Sequence, residues 1–301
     1  MNRRDFLGVI SVGCSSWAWQ PPGAGKQDET VNVSALIKDV LEHGKGGKLL
    51  TEYTYLMRLG ERRTGNKGEV KETVEVYESY IPTLKTQGNT AAVILKVTEK
   101  GVPLSAEKVE KERQKAAAEL LKAEAEAQKN NSRLPPEPSR SKGAYFTMRL
   151  GQFFNRDIRI DVRTLLQNST FSGARRVTLE DRPAIALDFQ PKNNAELDNE
   201  VRYLAQLAGT LWVDVQERIL MRLEGWPREA VTHEAVTRTG KPALLYEQQR
   251  LPDGYWLPRR AELNCDTHRA VFGKLGVDYT FEFTDYKRFG AETQDVKIKN
   301  P

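Results

Sequence analysis

The sequence predicts an α+β fold, in which a long antiparallel sheet curls around its apolar face and helices pack against it. Three observations lead there. Apolar residues recur at every second position through most of the chain, two segments carry them at helical spacing, and one long charged segment interrupts the strands. Alternation of period two marks strands with one buried and one solvated face, and a meander that keeps its apolar face to itself tends to curl.

A chain of 301 residues with 39% hydrophobic content can bury a sizeable core. Its 46 basic residues stand against 41 acidic ones, a net charge of +5. Both signs are mixed almost everywhere, without the dense basic stripe and interleaved aromatics of a nucleic-acid binder, so DNA and RNA are excluded as partners.

The chain opens Met1-Asn2-Arg3-Arg4-Asp5-Phe6-Leu7-Gly8, continues modestly apolar to Trp19 and breaks at Pro21-Pro22-Gly23. A basic start before a short apolar core is export-signal anatomy, which we assign to residues 1–25. Arg3, Arg4, Phe6 and Leu7 resemble the core of a twin-arginine motif. Ser11-Val12-Gly13-Cys14 resembles a lipobox without its upstream Leu, so lipidation of Cys14 and soluble release both stay open. The other cysteine, Cys265, then has no intrachain partner and reads as a small buried residue.

Val33, Leu36, Ile37, Val40 and Leu41 place a helix over residues 31–43, with Gly44 where a left-handed cap is expected. Tyr53, Tyr55, Met57 and Leu59 then alternate, as do Val70, Val74, Val76 and Tyr80, and Ala91, Val93, Leu95 and Val97: a first meander. Residues 105–129 are rich in Glu, Lys, Ala, Gln and Arg with a feeble apolar stripe, which predicts a solvated helix roughly 36 Å long at 1.5 Å per residue. With the Pro-rich loop that follows, residues of about 100–142 read as an insertion between strands. Short helices are expected around Tyr145 to Leu150 and Val162 to Leu166.

Strands resume at 176–179 and 184–189 across an Asp181-Arg182-Pro183 turn, and 195–208 reads as a second amphipathic helix stopped by Gly209. A second meander follows from Leu211, through 219–223, 231–237, 244–251 and 255–263, with Pro252-Asp253-Gly254 as one turn. Val277, Tyr279, Phe281 and Phe283 close it.

Gly209-Thr210-Leu211-Trp212-Val213-Asp214, Asp253-Gly254-Tyr255-Trp256-Leu257-Pro258 and the run from Tyr279 to Phe289 resemble segments of outer-membrane lipoprotein-sorting proteins, the superfamily of the lipoprotein carrier and its receptor. The resemblance implies a strongly curved antiparallel β half-barrel with packed helices, here a single domain over 26–301 that departs from the carrier pattern in its charged helical insertion. It further implies a bacterial protein of the periplasm or the periplasmic face of the outer membrane, without an enzymatic activity. Its ligand would be a lipid or lipoprotein acyl chain, held by burial of about 0.8 kcal/mol per methylene. Met221, Tyr279, Phe281 and Phe283 are the candidate lining residues. Two readings stay beside it: an envelope module that binds another protein or senses a signal, and an envelope hydrolase using carboxylates.

No motif assigns a catalytic residue, a metal or a cofactor. His233-Glu234 lacks a second His at position 237, which is Thr237, and Cys265-Asp266-Thr267-His268 lacks the second pair of a zinc site. Gly44-Lys45-Gly46-Gly47-Lys48 follows a helix where a phosphate loop would open one.

Overall fold

The computed structural model describes residues 31–288 except 45–49, 51, 66, 81–92, 100, 130–146, 150–158, 194–196, 229–240, 266, 267, 269, 270 and 272–276. The export signal, Cys14, the loop at 130–138 and the strand expected at 231–237, with His233, lie outside the described residues.

Helix α1 (Val33–His43) precedes β1 (Tyr53–Thr64), β2 (Val70–Tyr80) and β3 (Val93–Lys96). A small hairpin of β4 (Thr98–Glu99) and β5 (Val102–Pro103) leads into α2 (Ala106–Lys129). Strand β6 (Thr147–Arg149) pairs with β7 (Arg159–Asp161), which runs into α3 (Val162–Gln167). Strands β8 (Ser169–Leu179) and β9 (Arg182–Pro191) come next, then a 3₁₀ helix (Asn199–Gln206). The rest is β10 (Leu207–Asp214), β11 (Leu220–Pro227), β12 (Leu244–Arg250), β13 (Trp256–Asn264) and β14 (Val277–Arg288).

Ten strands form one antiparallel sheet in the order β3-β2-β1-β14-β13-β12-β11-β10-β9-β8. The last strand joins the two meanders by pairing with β1, from Arg63 opposite Val277 to Tyr53 opposite Arg288. Among the described residues β3 and β8 are free edges, so the sheet is open. One face carries the main core: Met57, Leu59, Phe281, Phe283, Tyr246, Leu223, Leu211 and Phe189 pack with Leu36, Ile37 and Val40 of α1 and Leu165 and Leu166 of α3. We call this the inner face. Helix α1 contacts α3 and β8, and the 3₁₀ helix contacts β7 and β9, so these helices sit toward the β8 end of the sheet.

Caps and turns follow local chemistry. Asn32 Oδ1 accepts from the Ala35 backbone N–H at 3.0 Å and starts α1, and Asp161 Oδ1 accepts from Thr164 N–H at 2.9 Å and starts α3. Gly254 turns β12 into β13 at φ 89°, a conformation that glycine adopts without penalty.

Several expectations change. Gly44 ends α1 at φ −78°, not in the left-handed region, because its N–H still reaches Val40 O. Residues 147–149 are a strand, since Met148 pairs with Ile160 across β7. Strand β8 begins at Ser169, and its turn to β9 uses Glu180 and Asp181, both at positive φ. The segment at 195–208 is a shorter helix of 3₁₀ type that hands over to strand at Leu207. Gly209 is therefore no helix stop. It sits inside β10, where a Cβ would lie 1.9 Å from Glu224 O, so the close approach of β11 requires glycine there.

The largest change concerns β2. Tyr77 pairs with Met57 and shares its inner face, whereas Val76 pairs with Arg58 and points outward, as do Val70 and Val74. The greasy row of β2 thus lies on the opposite side of the sheet from that of β1. Helix α2 packs beside β3 with Val109, Arg113, Ala116 and Ala117 half-buried, one stripe at helical spacing, while Val70 at the far end of the row stays 51% exposed. Arg113 Nη2 reaches Glu78 Oε2, another outward residue of β2, at 2.7 Å. The helix is not solvated all round.

Candidate functional site on the inner face

Three of the four expected lining residues stand together. Tyr279, Phe281 and Phe283 are 0%, 0% and 2% exposed and alternate along the inner face of β14. Phe281 pairs with Leu59 on one side and Ala261 on the other, and Phe283 pairs with Met57. Met221 does not join them. A bulge in β11, where consecutive Trp212 and Val213 face Arg222 and Leu220, leaves Leu220 and Leu223 on the inner face, and the extra residue Met221 packs with Ala184, Ile219 and Trp256 in a separate cluster. A bulge reverses the facing of alternate residues locally, which period-two counting cannot anticipate.

From Phe283 the apolar surface runs on toward the β3 edge. Tyr55 is half-buried against Phe283, with ring centroids 5.8 Å apart, and against Tyr286 at 5.3 Å. Tyr77 is half-buried beside Met57, and Ile94 of β3, paired with Ser79, is 40% exposed. Burial raises the pKa of Tyr55, of Tyr77 and, most strongly, of Tyr286, so these rings are held neutral. Tyr55, Tyr77 and Ile94 were visible in the sequence as strand residues. Their common face comes only from the β1–β2–β3 register.

Where β14 continues past a positive φ at Asp285, a second cluster forms around buried Tyr53 and Leu257, with Tyr255 and Tyr286 packed against them. Tyr53 packs edge-on to Tyr286 at 6.2 Å and donates its hydroxyl to Asp253 Oδ2. The Arg288 guanidinium lies 5.0 Å from the Tyr255 ring and 6.0 Å from that of Tyr53, and Glu52 accepts from it at 2.8 Å.

At the other end of β1 and β2 the same face becomes polar. Glu61 and Arg63 follow Leu59 at alternate positions, and Thr73 and Lys71 stand opposite them on β2. These four line a cleft of about 350 Å³. A second cleft of about 560 Å³ lies at the β3 edge between Ile94, Leu95 and Lys96 and the Leu104, Lys108 and Lys111 side of α2.

The outer face from β1 to β11 is a charged ladder. Arg58 meets Glu282 at 2.9 Å, Glu247 meets Arg222 at 3.1 Å and Arg259 at 3.2 Å, and Arg260 pairs with Glu262. At the ladder's end Asp214, 1% exposed, accepts from Arg182 Nε at 2.7 Å and from the Gln216 and Glu217 backbone N–H groups. Among the described residues no group of three His, Cys, Asp or Glu side chains converges to hold a metal. Cys265 is buried at 0% exposure in the main core, and His268 Nε2 lies 2.8 Å from Lys241 O. Among the described residues no helix is long and apolar enough to cross a membrane.

No protein-family model matches the chain, and no curated protein does. Solved structures do. An outer-membrane lipoprotein-sorting protein domain from Vibrio parahaemolyticus matches 85% of this chain and 94% of its own length, at 11% identity and a TM-score of 0.36. A DUF1329 family protein from Desulfovibrio piger matches 86% and 94% at 12% identity and 0.37. A LolA superfamily protein from Nitrosomonas europaea matches 86% and 94% at 10% identity and 0.31. Structures similar to the chain include lipoprotein-sorting, LolA-superfamily and DUF1329 proteins.

Proposed function

We propose that this chain is a non-enzymatic protein of a bacterial cell envelope that binds an apolar ligand, a lipid or lipoprotein acyl chain, against the inner face of a half-barrel. The observation that carries the reading is the incomplete cover of that face. Tyr279 and Phe281 are fully buried, yet the same surface continues through half-buried Tyr55 and Tyr77 to Ile94 at 40% exposure. Partly covered apolar area is what a tail can bury, at about 0.8 kcal/mol per methylene. In this reading Tyr55, Tyr77 and Ile94 touch the ligand, Tyr279, Phe281 and Phe283 are the packed core behind them, and Met221 takes no part. The single domain spans 26–301, with about 100–142 inserted into it and 1–25 as an export signal. Replacing Arg3 and Arg4 with Lys is expected to stop export, and unchanged export would rule out the twin-arginine route.

The test of binding is titration of the mature chain with a long-chain fluorescent fatty-acid probe. Saturable binding that Tyr55→Ala weakens by about fivefold or more is expected, since most of a ring contact is lost. Absence of saturable binding by the parent protein would overturn the reading.

A second reading, docking of another envelope protein, is favoured by exposed Arg288 beside the half-buried Tyr255 ring, because aromatic and arginine side chains dominate binding hot spots. Native mass spectrometry of protein purified from its envelope distinguishes the two: co-purified lipid supports the first, and a stoichiometric protein supports the second.

A further inference from the structure

Two residues of β14 stand opposite a single residue of β1. Thr54 faces Lys287 and Leu56 faces Thr284, so Asp285 and Tyr286 together oppose Tyr55. Asp285 carries the left-handed conformation of this bulge at φ 56°, which Asp tolerates better than most residues with a Cβ. Counting alternate residues from inward Phe283 would send Tyr286 to the outer face. The extra residue brings it back, to pack against the main core beside Tyr55.

The same point is where β14 parts from β13. Their ladder runs from Asn264 opposite Asp278 and ends with Arg260 opposite Glu282. Beyond it two side-chain hydrogen bonds follow: Gln249 Nε2 donates to Phe283 O at 3.4 Å, and the Tyr286 hydroxyl donates to Pro258 O at 2.8 Å. Tyr286 is thus fixed at both ends, its backbone by the bulge and its hydroxyl by β13. Its ring lies 5.3 Å from that of Tyr55 at 44°, and Phe283 flanks Tyr55 on another side at 5.8 Å and 60°. Tyr55 itself stays half-buried.

We infer that Tyr286 is a positioning residue of the inner-face site: turned inward by the Asp285 bulge and pinned to Pro258 O, it holds the Tyr55 ring against Phe283 in the orientation that meets the ligand. The inference rests on the reading of that face as an apolar-ligand site and adds residues that serve it by acting through Tyr55. A ring already fixed loses less freedom on binding than a mobile one, so the effect falls on affinity.

The experiment is a double-mutant cycle read by titration with the long-chain fluorescent fatty-acid probe, under conditions in which circular dichroism shows every variant folded. Tyr286→Phe keeps the ring and removes only the hydroxyl bond. It should weaken probe binding about threefold in the parent chain and have no further effect in a chain that already carries Tyr55→Ala. Asp285→Val, whose branched side chain opposes a left-handed backbone, should weaken binding at least as much, and Asp285→Gly far less. Tyr203→Phe removes a comparable bond, from its hydroxyl to Arg159 O at 3.2 Å, and should lower stability without changing affinity. Equal weakening by Tyr286→Phe with and without Tyr55, no weakening at all, or the same weakening by Tyr203→Phe overturns the positioning role and leaves the apolar site standing. Absence of saturable binding by the parent chain overturns the inference together with the reading beneath it.

Discussion

Arg113 of α2 and Glu78 of β2 meet at 2.7 Å across the outer face of the sheet, although 35 residues separate them in the chain. Their side chains are 32% and 24% exposed. The pair ties the long charged helix to the strands that precede it, above outward Val76 and buried Leu95.

Arg113→Ala should therefore destabilise the β2–β3 end by about 0.5–1 kcal/mol, the range of a partly screened ion pair. A helix that merely hangs in solvent could be replaced, from about 100 to 142, by a short Gly/Ser linker with the melt unchanged within a few degrees. Packing over Leu95 predicts a larger drop, with faster amide exchange confined to β2 and β3. An unchanged melt would show that the helix contributes nothing to the sheet.

Phe281 offers the sharpest test of how well the core is filled. At 0% exposure between Leu59 and Ala261, its replacement by Ala should cost about 3–5 kcal/mol in denaturant unfolding with an unchanged slope. A loss below about 1 kcal/mol, with weaker probe binding, would show instead that the ring lines an open cavity.

Alkaline pH should unfold the protein through its tyrosines. Burial raises Tyr55, Tyr203 and Tyr286 above the ordinary value of 10.0, with the neighbouring Cys265 adding to Tyr203. A raised folded-state pKa means that the folded chain holds the proton longer than the unfolded one. Stability from this source is complete below about pH 10 and falls as pH climbs through the folded values. Absorbance at the phenolate band should show part of the tyrosines ionising only together with loss of the near-ultraviolet dichroism. Ionisation of every tyrosine near pH 10 without unfolding would contradict the burial.

Much of this architecture is legible in the residues themselves. Asn32 and the spacing of Leu36, Ile37 and Val40 specify α1, Gly254 marks its turn, and Val277 to Phe283 declare a half-buried strand, because caps, turns and alternation act over a few residues. Alternation states that a strand has two faces but not which way each points. That choice depends on the partner strand and on what covers it. The outward Val76, opposed to Arg58, and Met221, turned to the outer cluster by a bulge beside Trp212, follow from pairings between distant segments. The amphiphilic inner face is of the same kind: Leu59, Phe281, Arg63 and Lys71 become neighbours only when β1 is hydrogen-bonded to β2 on one side and to β14 on the other.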